Sequence, residues 1–228
     1  MRPTHTPRVK ICCIGSIEEM WLAIEHGASA IGLVSRMPSG PGPIEEELIK
    51  EIAAAAPPGV ATFLLTCEQD VDAIAAQQRR TGANTLQLVD RLERGTHRDL
   101  RDALPGIALV QVVHVRGDES VAEALEVAPH VNAILLDSGN PLLAVKELGG
   151  TGRRHDWAVS RRIREAVDVP VYLAGGLRPE NAGEAVRTVG PFGLDVCSGL
   201  RTGGRLDAAK VEAFMGEVRH AATVGATA

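Results

Sequence analysis

The fold is decided by residues 170–199, which read PVYLAGGLRPENAGEAVRTVGPFGLDVCSG. Two short apolar runs, 170–175 and 193–198, are too short to be core helices and are typical of buried strands. Between them, residues 179–188 follow a helical pattern, and Pro179 stands in the first turn, where its missing N–H is tolerated. The stretch therefore predicts a strand, a helix and a second strand.

The same alternation of short apolar runs and amphipathic segments continues along the whole chain. Candidate strands lie at 9–14, 30–35, 60–66, 84–89, 107–115, 132–137, 170–175 and 193–198. Candidate helices lie at 16–26, 44–56, 69–81, 97–103, 118–128, 157–167, 179–188 and 207–222. Two helix starts carry a capping residue: Ser16, which with Glu19 predicts a capping box, and Asp156.

Eight strand–helix units in 228 residues favour one architecture. Single (β/α)8 barrels have about 200–250 residues. A doubly wound sheet would carry a GxGxxG after its first strand, whereas this chain reads CCIGS at 12–16. We therefore predict an α/β fold, a single (β/α)8 TIM barrel over residues 1–228, with an N-terminal extension at 1–8 and a C-terminal tail at 223–228.

Composition excludes several classes of function. A net charge of −5 and a pI of about 5.8 argue against nucleic acid as a partner. No apolar run approaches the roughly 18 residues that span a bilayer, so we expect no membrane partner. The start, MRPTHTPRVK, lacks the apolar segment of a secretory signal, so we expect a cytoplasmic protein. Oligomeric state stays open at this point.

The four cysteines do not form a metal-binding or disulfide pattern. Cys12, Cys13, Cys67 and Cys197 include no CxxC pair, so no metal site is expected. In a reducing compartment they should be thiols, and each taken alone is most simply a small buried apolar residue.

The C-terminal ends of barrel strands carry catalytic groups. The residues that follow or end the candidate strands are Cys12, Cys13, Arg36, Cys67, Asp90, His114, Arg116, Asp137, Gly175, Gly176, Ser198 and Gly199. The Pro- and Gly-rich stretch 38–43 follows the second strand, where it is expected to be an active-site loop rather than a domain boundary.

Glycines are dense in the last three of these loops. They comprise Gly149, Gly150 and Gly152 after strand six, Gly175 and Gly176 after strand seven, and Gly199 beside Ser198 after strand eight. Backbone N–H groups of such loops approach an oxyanion closely, and the loops after strands seven and eight are the recurrent phosphate site of barrels. The pattern predicts that Gly150, Gly175, Gly176, Ser198 and Gly199 bind a substrate phosphate.

Five segments, in order and over residues 9–200, resemble the motifs of the phosphoribosylanthranilate isomerase family. They are VKIC at 9–12, LLDS at 135–138, GGTGRRHDW at 149–157, LAGGLRPEN at 173–181 and LDVCSG at 194–199. The resemblance implies a (β/α)8 barrel that carries out an Amadori rearrangement of N-(5-phosphoribosyl)anthranilate in tryptophan biosynthesis. It implies a small phosphorylated sugar as substrate and no cofactor.

The resemblance also implies roles for individual residues. Asp137 matches the family's general acid, which protonates the ring oxygen of the sugar, and Cys12 matches its general base, which takes the C2 proton as a thiolate. Lys10, two residues before Cys12 on the same strand face, is expected to lower the pKa of that thiol. We expect Lys10, Arg36 and Asp195 to contact the substrate.

The sequence departs from the family pattern mainly at the end that would hold the anthranilate. Cys13 replaces a usual Gly, Cys197 a usual Ser and Arg201 a usual Glu, and residues 39–44 lack the usual carboxylate-binding Arg, for which Arg36 could substitute. Because strand side chains alternate, we expect Cys13 to point away from the barrel mouth. Two alternatives remain: a paralogous isomerase of another phosphoribosyl-amine, and a non-catalytic phosphosugar-binding barrel.

Overall fold

The structure is a computed structural model that describes residues 6–149 and 152–224. Eight parallel strands close into a barrel in chain order, and a helix follows each strand. The strands are β1 Arg8–Ile11, β2 Ala30–Val34, β3 Ala61–Thr66, β4 Thr85–Leu88, β5 Ala108–His114, β6 Ala133–Asp137, β7 Val171–Leu173 and β8 Gly193–Val196. The helices are α1 Ile17–Glu25, α2 Glu46–Ala55, α3 Val71–Thr81, α4 His97–Ala103, α5 Glu119–Val127, α6 Trp157–Ala166, α7 Pro179–Val189 and α8 Ala208–Val224.

Closure of the barrel places the first strand beside the last. Lys10 of β1 is in register with Ala30 of β2 on one side and with Asp195 of β8 on the other. Residues that are 185 positions apart in the chain therefore become neighbours. The predicted (β/α)8 barrel is confirmed.

Two apolar layers stabilise the barrel, and strand alternation divides the side chains between them. On β3, Leu64 belongs to the layer between strands and helices, whereas Phe63 and Leu65 belong to the layer inside the barrel. Inside, the ring of Tyr172 packs edge-on against Phe63, with ring centroids 5.9 Å apart. Since the interior is filled below, the open space of the barrel lies at its mouth.

Every predicted strand and helix is present, but three strands end more than one residue earlier than predicted. β1, β7 and β8 stop at Ile11, Leu173 and Val196, so the residues that follow them belong to the loops of the mouth. The chain after β8 also forms elements that were not predicted: a 3-10 turn at Ser198–Leu200 and a hairpin of β9 Arg201–Thr202 with β10 Arg205–Leu206. In the part of the chain that the structure describes, no helix has both the length and the apolar character to span a membrane.

The capping box predicted at α1 is half wrong. The Ser16 hydroxyl accepts from the backbone N–H of Glu19, as expected. The Glu19 carboxylate instead accepts from the N–H of Gly15 and from the guanidinium of Arg201, because the hairpin after β8 brings Arg201 alongside α1. The cap at Asp156 is confirmed, since its carboxylate accepts from Ala158 N.

Candidate active site

A cavity opens at the C-terminal ends of the strands. Its walls come from the loops after β1, β2, β6, β7 and β8 and from side chains at the ends of β2, β3 and β4. Cys12, Asp137 and Asp195 line it, together with Gly175, Gly176 and Ser198. Six of the sequence-predicted residues are thus gathered around one space.

Gly32 of β2 makes room for Lys10 and Cys12, whose side chains both approach it from β1. A Cβ on Gly32 would lie 2.7 Å from Cys12 Sγ and 2.9 Å from Lys10 Nζ, closer than carbon can approach either atom. Both side chains therefore lie on the inner face of the barrel, as the sequence predicted. Cys12 is buried but reaches the cavity wall.

Asp137 ends β6, across the mouth from Cys12. Going around the barrel, β8 and β7 separate β1 from β6. One carboxylate oxygen of Asp137 accepts a hydrogen bond of 2.7 Å from Ser138 N. The other lies against Gly149, where a Cβ would come within 2.6 Å of Oδ2. The glycine-containing loop after β6 therefore packs directly on this carboxylate.

A buried ion pair supports the site from below. Lys10 Nζ lies 2.8 Å from Asp195 Oδ2, and the two side chains are 0% and 7% exposed. Burial alone would lower the pKa of Lys10, but the Asp195 carboxylate and the Cys12 sulfur outweigh it and hold that pKa above its usual value. Lys10 is therefore a fixed positive charge beside Cys12, although it does not line the cavity.

One carboxylate oxygen of Asp195 pairs with Lys10, and the other does not. Burial raises the pKa of this carboxyl, and the attraction of Lys10 opposes that rise. Its Oδ1 atom is buried and has no hydrogen-bond partner among the described residues. Asp195 also lines the cavity, so this unpartnered oxygen is a candidate acceptor for a ligand hydroxyl.

Glycines allow the loops after β6, β7 and β8 to pack backbone against backbone. A Cβ on Gly199 would lie 2.0 Å from Leu177 O, and one on Gly176 would lie 3.0 Å from Gly152 O. Gly176 also has a φ of +64°, which few side chains tolerate. Gly199 itself serves this packing rather than the cavity wall, and Gly150 lies outside the described residues.

His155 belongs to this region, although no role was predicted for it. Burial lowers its pKa to about 4, against the opposing attraction of Asp137 and Asp156. Its Nε2 lies 2.7 Å from Ser160 Oγ. His155 is therefore neutral at physiological pH. It stands in the motif at 149–157, and nothing else in the sequence indicates that this histidine belongs to the site.

Apolar side chains line the cavity on the side of β2, β3 and β4. They are Val34, Met37, Leu65, Val89 and Leu148, with Gln87 among them. No Lys or Arg stands among the described residues that line the cavity. The side chain of Arg36 is exposed on the loop after β2 and is not part of the wall.

Lys146 is a second cation on this side of the mouth. Its carbonyl accepts from Ser39 Oγ at 2.7 Å, which ties the loop after β6 to the loop after β2. Its Nζ lies 2.5 Å from Asp90 Oδ2, directly after β4. The Asp90 carboxylate thus pairs with a loop lysine, whereas the helix that follows, α4, is capped by Thr96.

The prediction that Cys13 points away from the mouth is wrong. Cys13 lines the cavity, and its Sγ lies 2.6 Å from that of Cys197. Alternation does not apply, because β1 ends at Ile11 and Cys13 has a φ of +61°. Among the described residues it is the one non-glycine residue with positive φ, which explains why glycine is usual at this position in the motif.

Comparison with known proteins gives a consistent result. Residues 9–217 match the family described as N-(5'phosphoribosyl)anthranilate (PRA) isomerase. The chain is 39% identical to the N-(5'-phosphoribosyl)anthranilate isomerase of Haloferax volcanii, with 94% of each chain covered. It is 36% identical to N-(5'-phosphoribosyl)anthranilate isomerase 2 of Methanosarcina mazei, covering 91% of this chain and 92% of the relative.

Solved structures agree with the sequence relatives. The phosphoribosyl anthranilate isomerase of Thermotoga maritima superposes with a TM-score of 0.78 at 28% identity, covering 94% of this chain and 99% of that one. A phosphoribosyl anthranilate isomerase in complex with reduced 1-(o-carboxyphenylamino)-1-deoxyribulose 5-phosphate gives a TM-score of 0.75 at 26% identity, with the same coverage.

Proposed function

Because the chain belongs to the phosphoribosylanthranilate isomerase family, we propose that Cys12 and Asp137 are the base and the acid of its aldose–ketose isomerisation. The enzyme is an isomerase of tryptophan biosynthesis. It converts N-(5'-phosphoribosyl)anthranilate to the carboxyphenylamino-deoxyribulose phosphate. The observation that carries the proposal is that these two side chains are both buried and both line one cavity, on strands β1 and β6 that β7 and β8 separate.

The reaction needs an acid and a base on opposite sides of the sugar. Asp137 donates a proton to the ring oxygen, and the C1–O bond breaks to give an iminium ion. The Cys12 thiolate then removes the C2 proton, which leaves an enolamine, and this tautomerises to the ketone. Lys10, buried beside Cys12 and paired with Asp195, holds a fixed positive charge next to the proposed base.

The loops after β6, β7 and β8 are proposed to bind the phosphate. Gly175, Gly176 and Ser198 line the cavity. The backbone N–H groups of such closely packed glycine loops can approach an oxyanion. Gly150 and Gly199 are expected to assist, Gly199 by holding the loop in place. The unpartnered Oδ1 of Asp195 would accept from a sugar hydroxyl.

The aromatic ring of the substrate is proposed to lie against the apolar wall formed by β2, β3 and β4. Its carboxylate needs a cation there, because burying an unpaired charge is costly. Arg36 is the candidate from the sequence, and its exposed position means that the loop after β2 would have to turn inward. Lys146 is the competing candidate, since it already stands between these loops.

A cytoplasmic location is also proposed. It is supported by the four cysteines, all of which are free thiols, as is usual in a reducing compartment.

Complementation of a tryptophan auxotroph that lacks this isomerase, followed by assay of the purified protein, tests the function. Wild type should restore growth and turn over phosphoribosylanthranilate, whereas Asp137→Asn should lower kcat by roughly 10²-fold or more with the fold intact. Asp156→Asn is the matched control, because it changes a carboxylate that caps α6 and does not line the cavity. Near-normal turnover by Asp137→Asn would show that Asp137 is not the general acid.

Other outcomes of the same assay separate the alternatives. Turnover of another phosphoribosyl-amine without turnover of phosphoribosylanthranilate would favour a paralogous isomerase. Phosphosugar binding without any turnover would favour a non-catalytic barrel.

A further inference from the structure

Three of the four cysteines meet at the mouth of the barrel. Cys12 and Cys13 follow β1, Cys197 follows β8, and all three line the cavity. The sulfur atoms of Cys13 and Cys197 are in direct contact, 2.6 Å apart. Cys67 lies elsewhere, where its thiol donates to the carbonyl of Arg36 at 3.2 Å.

Barrel closure produces this contact. Ile11 of β1 is in register with Val196 of β8, so Cys13 and Cys197 leave neighbouring strands at nearly the same height. The left-handed backbone of Cys13 then turns its side chain toward β8. Arg201 fixes this geometry, because its guanidinium donates to the carbonyl of Cys13 while two hydrogen bonds anchor it to Glu19.

The two thiols differ in acidity. The hydrogen bond between the two sulfurs lowers the pKa of Cys197, burial opposes that effect, and the charge of Arg201 adds to it. The pKa of Cys13 is raised by its hydrogen bonds to Cys12 and Cys197 and by burial. The other charged groups that face the pair are Asp195 and, beneath Cys12, Lys10. Cys197 is therefore the sulfur that ionises first, with a protonated partner in contact.

We propose that Cys13 and Cys197 are a redox-active pair that a hydroperoxide converts to an intramolecular disulfide in the wall of the cavity. The Cys197 thiolate attacks an oxygen of the peroxide, the O–O bond breaks, and the leaving oxygen takes a proton, which leaves a sulfenic acid on Cys197. The Cys13 sulfur then attacks that sulfur, the S–O bond breaks, and water leaves with the thiol proton. Two thiols are oxidised and one peroxide is reduced to water and an alcohol, or to two waters.

Thiol counting after peroxide treatment tests the pair without reference to isomerase activity. The reduced full-length protein is treated with one molar equivalent of hydrogen peroxide, then unfolded and titrated with a thiol reagent. We expect the four free thiols to fall to two and to return to four with dithiothreitol. Peptide mapping should show a Cys13–Cys197 cross-link, with Cys12 and Cys67 still alkylated.

Variants make the test specific. Cys67→Ser is the matched control and should still lose two thiols, because Cys67 lies apart from the pair. Cys13→Ser and Cys197→Ser should each form no intramolecular disulfide. The proposal is overturned if wild type keeps all four thiols, if the cross-link contains Cys12, or if Cys197→Ser loses two thiols as wild type does. It is also overturned if the chain unfolded in urea before oxidation forms the same cross-link as readily.

Discussion

Replacing Lys10 by Met would remove one half of the ion pair beneath the cavity. Lys10 is fully buried, Asp195 is 7% exposed, and their charged atoms are 2.8 Å apart. Removing one partner of such a pair leaves an uncompensated buried charge, which costs about 3–5 kcal/mol. Since a domain is stable by about 5–15 kcal/mol, the variant should lose a large part of its stability. The folding equilibrium should fall by a factor of roughly a hundred to several thousand.

The stability that the Lys10→Met variant loses should depend on pH in a defined direction. Burial raises the pKa of Asp195, and Lys10 opposes that rise, so without Lys10 the folded-state pKa is higher still. The folded variant then binds a proton at a pH where the unfolded chain, with an Asp pKa of about 3.9, does not. Its stability is therefore recovered as pH falls through the raised pKa of Asp195 and lost as pH rises through it.

Urea denaturation followed by circular dichroism, near pH 7 and near pH 5, measures both effects. The double variant Lys10→Met/Asp195→Leu should recover most of the loss, because no buried charge remains. Arg161→Met on α6 is the control: its pair with Glu165 is 57% and 48% exposed and should contribute no more than about 1 kcal/mol. A loss below about 1 kcal/mol in Lys10→Met, or a deficit that grows on acidification, would refute the reasoning.

Three further predictions concern the site. Cys12→Ser should lower kcat by roughly 10²-fold with an unchanged circular dichroism spectrum, and normal turnover would reject Cys12 as the base. Gly32→Ala should lower kcat by roughly tenfold or more, because its Cβ would lie 2.7 Å from Cys12 Sγ. Arg36→Ala should raise KM by about tenfold to a hundredfold, the value of a charged hydrogen bond, with little change in kcat. If only Lys146→Ala has that effect, Lys146 binds the carboxylate. Gly176→Ala should weaken inhibition by inorganic phosphate, because φ is +64° and the added Cβ would press on the loop after β6. Unaltered inhibition would show that the phosphate binds elsewhere.

The sequence by itself determined the barrel and the positions of Cys12 and Asp137. Strand and helix periodicity is a local property, so the alternation of apolar runs and amphipathic segments predicts eight units without any tertiary information. In such a barrel all parallel strands point their C-terminal ends to one face, so a residue at a strand end is at the mouth by construction. The motifs at 9–12 and 135–138 then predicted which strand ends carry reactive groups.

Only the tertiary structure decided which distant residues touch. Lys10 and Asp195, and likewise Cys13 and Cys197, become partners because β8 closes against β1, and no local pattern encodes a contact over about 185 positions. The direction of Cys13 was predicted wrongly because strand alternation holds only inside a strand, whereas a single left-handed residue after β1 reverses it. The partner of Glu19 was missed for the same reason: Arg201 reaches α1 through a hairpin whose path is set by packing, not by its own sequence.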